Sequence, residues 1–127
     1  MENMKCLPDT ELEVMKVIWQ EEAVLSTPEI KERLEENRPW SVSALQTILN
    51  RLIEKGFLGS HKEGKKRYYA PIIQEADYMV CENKHFFERT GNRSLTKLVA
   101  SLFDSHSVTE QDLDELEEYI RRKTGGA

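Results

Sequence analysis

Residues 39–71 read PWSVSALQTILNRLIEKGFLGSHKEGKKRYYAP. Leu45, Ile48, Leu49 and Leu52 recur at helical spacing with Ile53 beside them, leaving Ser43, Gln46, Thr47, Asn50 and Arg51 on a polar side. Ser41 or Ser43 can cap this helix at its start, and Gly56 suits the left-handed position just past its end. Phe57-Leu58 to Lys62 is strand-like, Glu63-Gly64 reads as a turn, and Arg67-Tyr68-Tyr69-Ala70 returns before Pro71 stops the run. The stretch predicts a helix, a stop and a short β-hairpin.

Charge gives that hairpin its meaning. From Ser41 to Ala70, six basic residues (Arg51, Lys55, Lys62, Lys65, Lys66 and Arg67) oppose two acids (Glu54 and Glu63), a local +4 in a chain of net charge −5. Phosphates respond to the field within about 10 Å at moderate salt, so an acidic chain with a basic island can still bind nucleic acid. A helix followed by a basic hairpin is what a winged helix presents to DNA. Short polar side chains near the N-terminus of such a helix meet base edges in the major groove. Gln46 and Asn50 can pair with adenine, and Arg51 with guanine or phosphate. Lys62, Lys65, Lys66 and Arg67 surround the turn, where cations neutralise phosphate and add affinity rather than sequence preference. Strand alternation predicts that one of Tyr68 and Tyr69 faces the core. His61, at the start of the wing, is placed to touch a phosphate.

Upstream, Leu7-Pro8-Asp9-Thr10 opens a first helix, with Thr10 and Glu13 at capping-box spacing and Leu12, Met15, Ile18 and Trp19 as its apolar positions. A second helix starts at Ser26-Thr27-Pro28-Glu29, with Thr27 as the expected N-cap, and buries Ile30 and Leu34. Trp19 is expected in the core and Trp40 in the core or at a hinge. Three helices and a two-stranded wing complete a winged helix-turn-helix domain over residues 1–72.

Downstream, a weakly patterned helix is expected from Gln74 to about Thr90, broken at Gly91-Asn92. A short apolar helix follows, with Leu95, Leu98, Val99, Leu102 and Phe103, and then an amphipathic one capped at Thr109 and carrying Leu113, Leu116 and Ile120. About fifty residues bury too little surface to enclose a core alone. Residues 73–127 are therefore read as a small helical dimerisation domain that buries these side chains against a second copy. The expected fold is mostly α with a small β-wing.

Other function classes leave little trace. Cys6 and Cys81 are far apart and without CxxC spacing, so two free and mostly buried thiols are expected in a reducing compartment. His61, His85 and His106 show no paired-ligand spacing, so no metal or other cofactor is expected. There is no Gly-rich phosphate loop, GxSxG or HExxH, and an enzyme is not expected. No window approaches the roughly 18 apolar residues of a membrane span, so no membrane insertion is expected. The opening MENMKCLPDTELEV lacks the apolar core of a secretory signal, and a cytoplasmic protein is expected.

LPDTELEVMKVIW, PWSVSALQTILNRLIEKGFL, YYAP and the later SVTEQDLDELEEYI together resemble the penicillinase-repressor family of bacterial transcription regulators. This is the BlaI/MecI type, which includes copper-responsive CopY-like repressors. The resemblance is strongest over residues 7–71. It implies a homodimeric repressor bound to a dyad-symmetric operator in double-stranded DNA. Ser41, Ser43, Gln46, Thr47, Asn50 and Arg51 fall on the family's recognition helix, and Lys65, Lys66 and Arg67 on its wing. Thr47 and Arg51 match the common pattern, whereas Ala44 stands where many members carry Thr.

The resemblance also bears on induction. β-Lactam-responsive members are cut at an Asn-Phe bond after a membrane sensor protease is triggered, and the corresponding bond here is Ser101-Leu102. That pair differs from the family's cleavage specificity. Copper-responsive members carry closely spaced C-terminal cysteines, and RRKTGGA has none, so copper sensing through that motif is not expected. The acidic flanks, −5 over residues 1–40 and −4 over residues 71–127, leave one alternative, a winged helix used as a protein-interaction module.

Overall fold

The chain begins its first helix, α1 (Asp9–Glu21), directly after Pro8, which makes no side-chain cap. The capping box expected at Thr10 and Glu13 is absent because both lie inside the helix; acidic Asp9 and Glu11 instead occupy the first turn, where the helix dipole favours them. The computed structural model describes residues 5–90 and 94–125.

A two-residue strand, β1 (Leu25–Ser26), follows and leads straight into α2 (Thr27–Leu34). Ser26, not Thr27, is the N-cap: its hydroxyl accepts from the Glu29 amide at 3.4 Å, and the Glu29 carboxylate accepts from the Ser26 amide at 2.8 Å. The expected cap is one residue late because Ser26 keeps extended backbone while already paired in the sheet.

The next helix, α3 (Val42–Glu54), is capped by Ser41, whose hydroxyl accepts from the Ala44 amide at 3.0 Å. At its far end the Phe57 amide donates to Leu52 and the Gly56 amide to Ile53. Gly56 adopts φ +83°, so the chain reverses without the strain a Cβ would bring.

The hairpin β2 (Leu58–Glu63) and β3 (Lys66–Pro71) pairs antiparallel from Leu58↔Pro71 to Glu63↔Lys66. Its turn is therefore Gly64-Lys65, one residue later than expected, with positive φ on Gly64. The sheet has three strands in the order β1-β3-β2, and not the two expected: Leu25 pairs with Tyr69 and Ser26 with Tyr68. Two residues are too short for an alternation pattern to reveal a strand. Val14, Met15 and Ile18 from α1, Ile30 and Leu34 from α2, Leu45, Leu49 and Leu52 from α3, and Leu58 and Tyr69 from the sheet form the fully buried centre. Trp19 and Trp40 are buried beside it.

Three further helices follow: α4 (Glu75–Thr90), α5 (Leu95–Asp104) and α6 (Glu110–Lys123). The break expected at Gly91-Asn92 lies outside the described residues. The chain forms two compact units, Met1–His85 and Phe86–Ala127, so the first extends beyond the expected limit at residue 72. Tyr78 explains the extension. Its buried ring lies 5.6 Å from those of Trp19 and Phe57, and its hydroxyl accepts from the Leu7 amide at 2.6 Å while donating to Glu82. Nearby, the Trp19 indole donates to the Ile73 carbonyl at 2.9 Å. The start of α4 thus belongs to the first core.

Cys6 and Cys81 are joined in a disulfide, with Cα atoms 5.9 Å apart, which corrects the expectation of two free thiols. They are distant in sequence, but Leu7 and Tyr78 pin the two segments together and bring the cysteines into range. In the second unit, α5 is capped by Ser94 and α6 by Thr109, the cap expected there, which forms a capping box with Asp112.

Candidate nucleic-acid interface

The buried stripe of α3 orients its opposite face toward solvent. Ser41, Ser43, Thr47, Asn50 and Arg51 are all exposed, and Gln46 is half-buried. Their chemistry differs once neighbours are counted. Ser41 uses its lone pair as the cap. The Thr47 hydroxyl donates to the Ser43 carbonyl at 3.0 Å, which leaves its oxygen as an acceptor. Gln46 Nε2 donates to Asn50 Oδ1 at 3.1 Å and to the Tyr69 hydroxyl at 3.3 Å. Arg51 makes no ion pair among the described residues and is available to a phosphate or a guanine.

Strand register sorts the wing. Residues directly opposite in an antiparallel pair share a face, so Ser60, Tyr69, Lys62 and Arg67 lie on one side. His61, Tyr68, Glu63 and Lys66 lie on the other. Tyr69 is buried and Tyr68 half-buried, which settles the tyrosine alternation. The face that buries Tyr69 therefore carries Lys62 and Arg67 toward the tip, and Arg67 donates to the Ser60 hydroxyl at 3.0 Å. Lys65 occupies the turn itself. On the far face His61 stacks on Tyr68, centroids 5.7 Å apart, with Nε2 3.7 Å from Glu63.

All ten side chains expected at the interface thus belong to α3, its cap and the hairpin, and the Gln46–Tyr69 hydrogen bond ties helix to wing. Lys55 does not share their role. It pairs with buried Glu11 at 2.5 Å, so part of the local positive charge is already neutralised. Sequence reading missed the Tyr69 hydroxyl as a partner of Gln46. The only available signal was alternation, which put one tyrosine inward without saying where its oxygen ends.

The turn between α2 and α3 is held independently. Arg38 donates to Glu13 at 2.9 Å and lies 4.4 Å above the Trp40 ring, whose indole donates to the same carboxylate at 3.4 Å. These bonds fix the approach of α3 to α1 without using any side chain of the polar face.

Residues 7–122 match the penicillinase repressor family. The chain belongs to that family. The penicillinase repressor of Bacillus licheniformis is 36% identical over 127 residues, covering 97% of this chain and 98% of that one. The methicillin resistance regulatory protein MecI of Mammaliicoccus sciuri is 26% identical over 117 residues, 92% of this chain and 94% of its own. Among solved structures, the DNA binding domain of the repressor BlaI is 46% identical with a TM-score of 0.51, over 59% of this chain and 94% of that domain. The penicillinase-repressor family comprises transcriptional repressors, not enzymes, and the winged-helix fold of the first unit agrees with its DNA-binding domain.

Opposite conditions hold in the second unit. No residue of α5 or α6 is buried. Leu95 is 61% exposed, Ile120 is 48% exposed, and Leu102, Phe103 and Leu116 are exposed as well, while Leu98, Val99 and Leu113 are half-buried. Ser101 and Leu102 lie within α5, and both are exposed. No helix among the described residues is long and apolar enough to cross a membrane.

Proposed function

We propose that this protein represses transcription by binding a dyad-symmetric operator in double-stranded DNA as a homodimer, in the bacterial cytoplasm. The observation that carries the reading is the exposed polar face of α3 beside exposed wing cations in an otherwise acidic chain. Ser43, Gln46, Thr47, Asn50 and Arg51 read base edges, with Ser41 at the helix start on a phosphate. Lys62, Lys65, Lys66 and Arg67 grip the backbone beside them.

The second unit supplies the dimer. Leu95, Leu98, Val99, Leu102, Phe103, Leu113, Leu116 and Ile120 form apolar surface with no core of its own, and a second copy buries it. Two half-site contacts joined in this way gain roughly 10²–10⁴ in affinity over either alone. Relief follows from cleavage or destabilisation of this unit. The Ser101-Leu102 bond sits in helical backbone, so a membrane sensor protease cutting there needs that turn of α5 to open.

A mobility-shift titration of the full chain with its own promoter DNA at two salt concentrations tests the reading. A shift that weakens as salt rises, and that exceeds the shift of unrelated DNA, is expected. No shift at low salt overturns it and leaves the protein-interaction module.

A further inference from the structure

The bonds of Gln46 have a consequence for which base the interface prefers. A glutamine side chain on a free surface can rotate and show either its oxygen or its amide to a ligand. Here Nε2 donates to Asn50 Oδ1 at 3.1 Å and to the Tyr69 hydroxyl at 3.3 Å, so both of its hydrogens have partners. What remains open is Oε1 of Gln46, an acceptor, and Nδ2 of Asn50, a donor. Tyr69 is the fixed end of this chain of bonds, because its ring is 0% exposed and its strand is paired on both sides.

We propose that Tyr69 is a specificity-determining residue, which through Gln46 sets one acceptor and one donor side by side on α3 for the major-groove edge of adenine. The inference rests on the DNA-reading role given to α3 above and deepens it. Adenine offers an N6 donor and an N7 acceptor, which match Gln46 Oε1 and Asn50 Nδ2 in turn. Guanine offers two acceptors on its major-groove edge and leaves Oε1 facing one of them. Tyr69 touches no base. It acts by holding the Gln46 side chain against the wing, so that Gln46 and Asn50 present one acceptor and one donor together.

Replacing Tyr69 with Phe keeps the ring in the core and removes only the hydroxyl. The wild type and Y69F are titrated against an operator series in which each base pair is changed in turn, alongside Q46A and the double variant. Y69F is expected to lower the preference for A·T at one half-site position by about tenfold, within the discrimination a good bidentate pair supplies. The salt dependence of binding stays unchanged, and Y69F has no further effect in the Q46A background. Three outcomes overturn the proposal: an unchanged preference in Y69F, an equal effect with and without Gln46, or a uniform loss on all sequences with an altered salt slope. A wild type without preference for any sequence overturns instead the repressor reading on which the proposal stands.

Discussion

Lys55, at the end of α3, places Nζ 2.5 Å from a carboxylate oxygen of Glu11 on α1, and Glu11 is only 3% exposed. One of the cations of the basic stretch is thereby paired with a carboxylate of the protein itself. A buried carboxylate without a partner is costly, so Lys55→Ala is expected to destabilise the first unit. Because Lys55 itself is 42% exposed and water can reach the pair, the loss should be about 1–3 kcal/mol, below the roughly 3–5 kcal/mol of a fully enclosed pair. Chemical denaturation measures it. Adding Glu11→Gln should recover part of the loss, and a double variant less stable than Lys55→Ala alone would contradict this account.

Arg51 and Lys65 should fail in different ways. Arg51→Ala is expected to cost about 1–3 kcal/mol on the operator and to relax preference at one position. Lys65→Ala should weaken all DNA comparably and reduce the salt slope by about 1. Fluorescence titrations on operator and random duplexes at several salt concentrations separate the two patterns. Undiminished operator affinity in the Arg51 variant would count against α3 as the reading element.

The box at the start of α2 predicts a pH dependence. The Ser26 backbone amide, and after it the Ser26 hydroxyl, hold the Glu29 carboxyl below its ordinary value of 4.5. A lowered folded-state value means stability that is present above pH 4.5 and lost as pH falls below it. Ser26→Ala should cost about 1 kcal/mol at neutral pH, as loss of a cap does. The gap between the thermal midpoints of the two proteins should narrow without closing as the solution is acidified below that value. Protonation removes only the hydroxyl's bond to the Glu29 carboxylate and not the cap bond from the Glu29 amide. A gap that stays constant down to pH 3 would refute the linkage.

The Cys6–Cys81 disulfide spans 75 residues of sequence and encloses nearly the whole first unit. A closure of that length contributes about 4 kcal/mol by restricting the unfolded chain. Thiol reductant should lower the denaturation midpoint of the wild type and leave Cys81→Ser unchanged. Equal midpoints for reduced and oxidised protein would show that the crosslink adds nothing.

Ile120→Asp places a charge on the exposed apolar face of α6 and is expected to shift the protein from dimer to monomer in sedimentation. Operator affinity should fall by roughly 10²–10⁴, while the melting of the first unit stays in place. A variant that remains dimeric would move the interface away from this face.

Much of the site was legible in advance because it depends on periodicity. The stripe of Leu45, Ile48, Leu49 and Leu52 sets which side of α3 is buried, and therefore which side carries Gln46, Asn50 and Arg51 outward. Gly56 set the end of the helix, since few residues tolerate φ +83°. The cap at Thr109 was equally local. Errors of one residue arose where a local signal competed with a neighbour, as at Ser26, which pairs in the sheet and caps α2 at once.

Helix phase, turn chemistry and the basic character of the wing are properties of neighbours along the chain, and residues 39–71 carried them unaided. Other features join residues that are remote in sequence, and only folding brings them together. β1 finds Tyr69, Tyr78 closes over Leu7, Cys6 meets Cys81, Glu11 pairs with Lys55, and Tyr69 reaches Gln46. Periodicity says which way a side chain points. Whether its polar atom then meets a partner or solvent depends on what the rest of the chain packs against it.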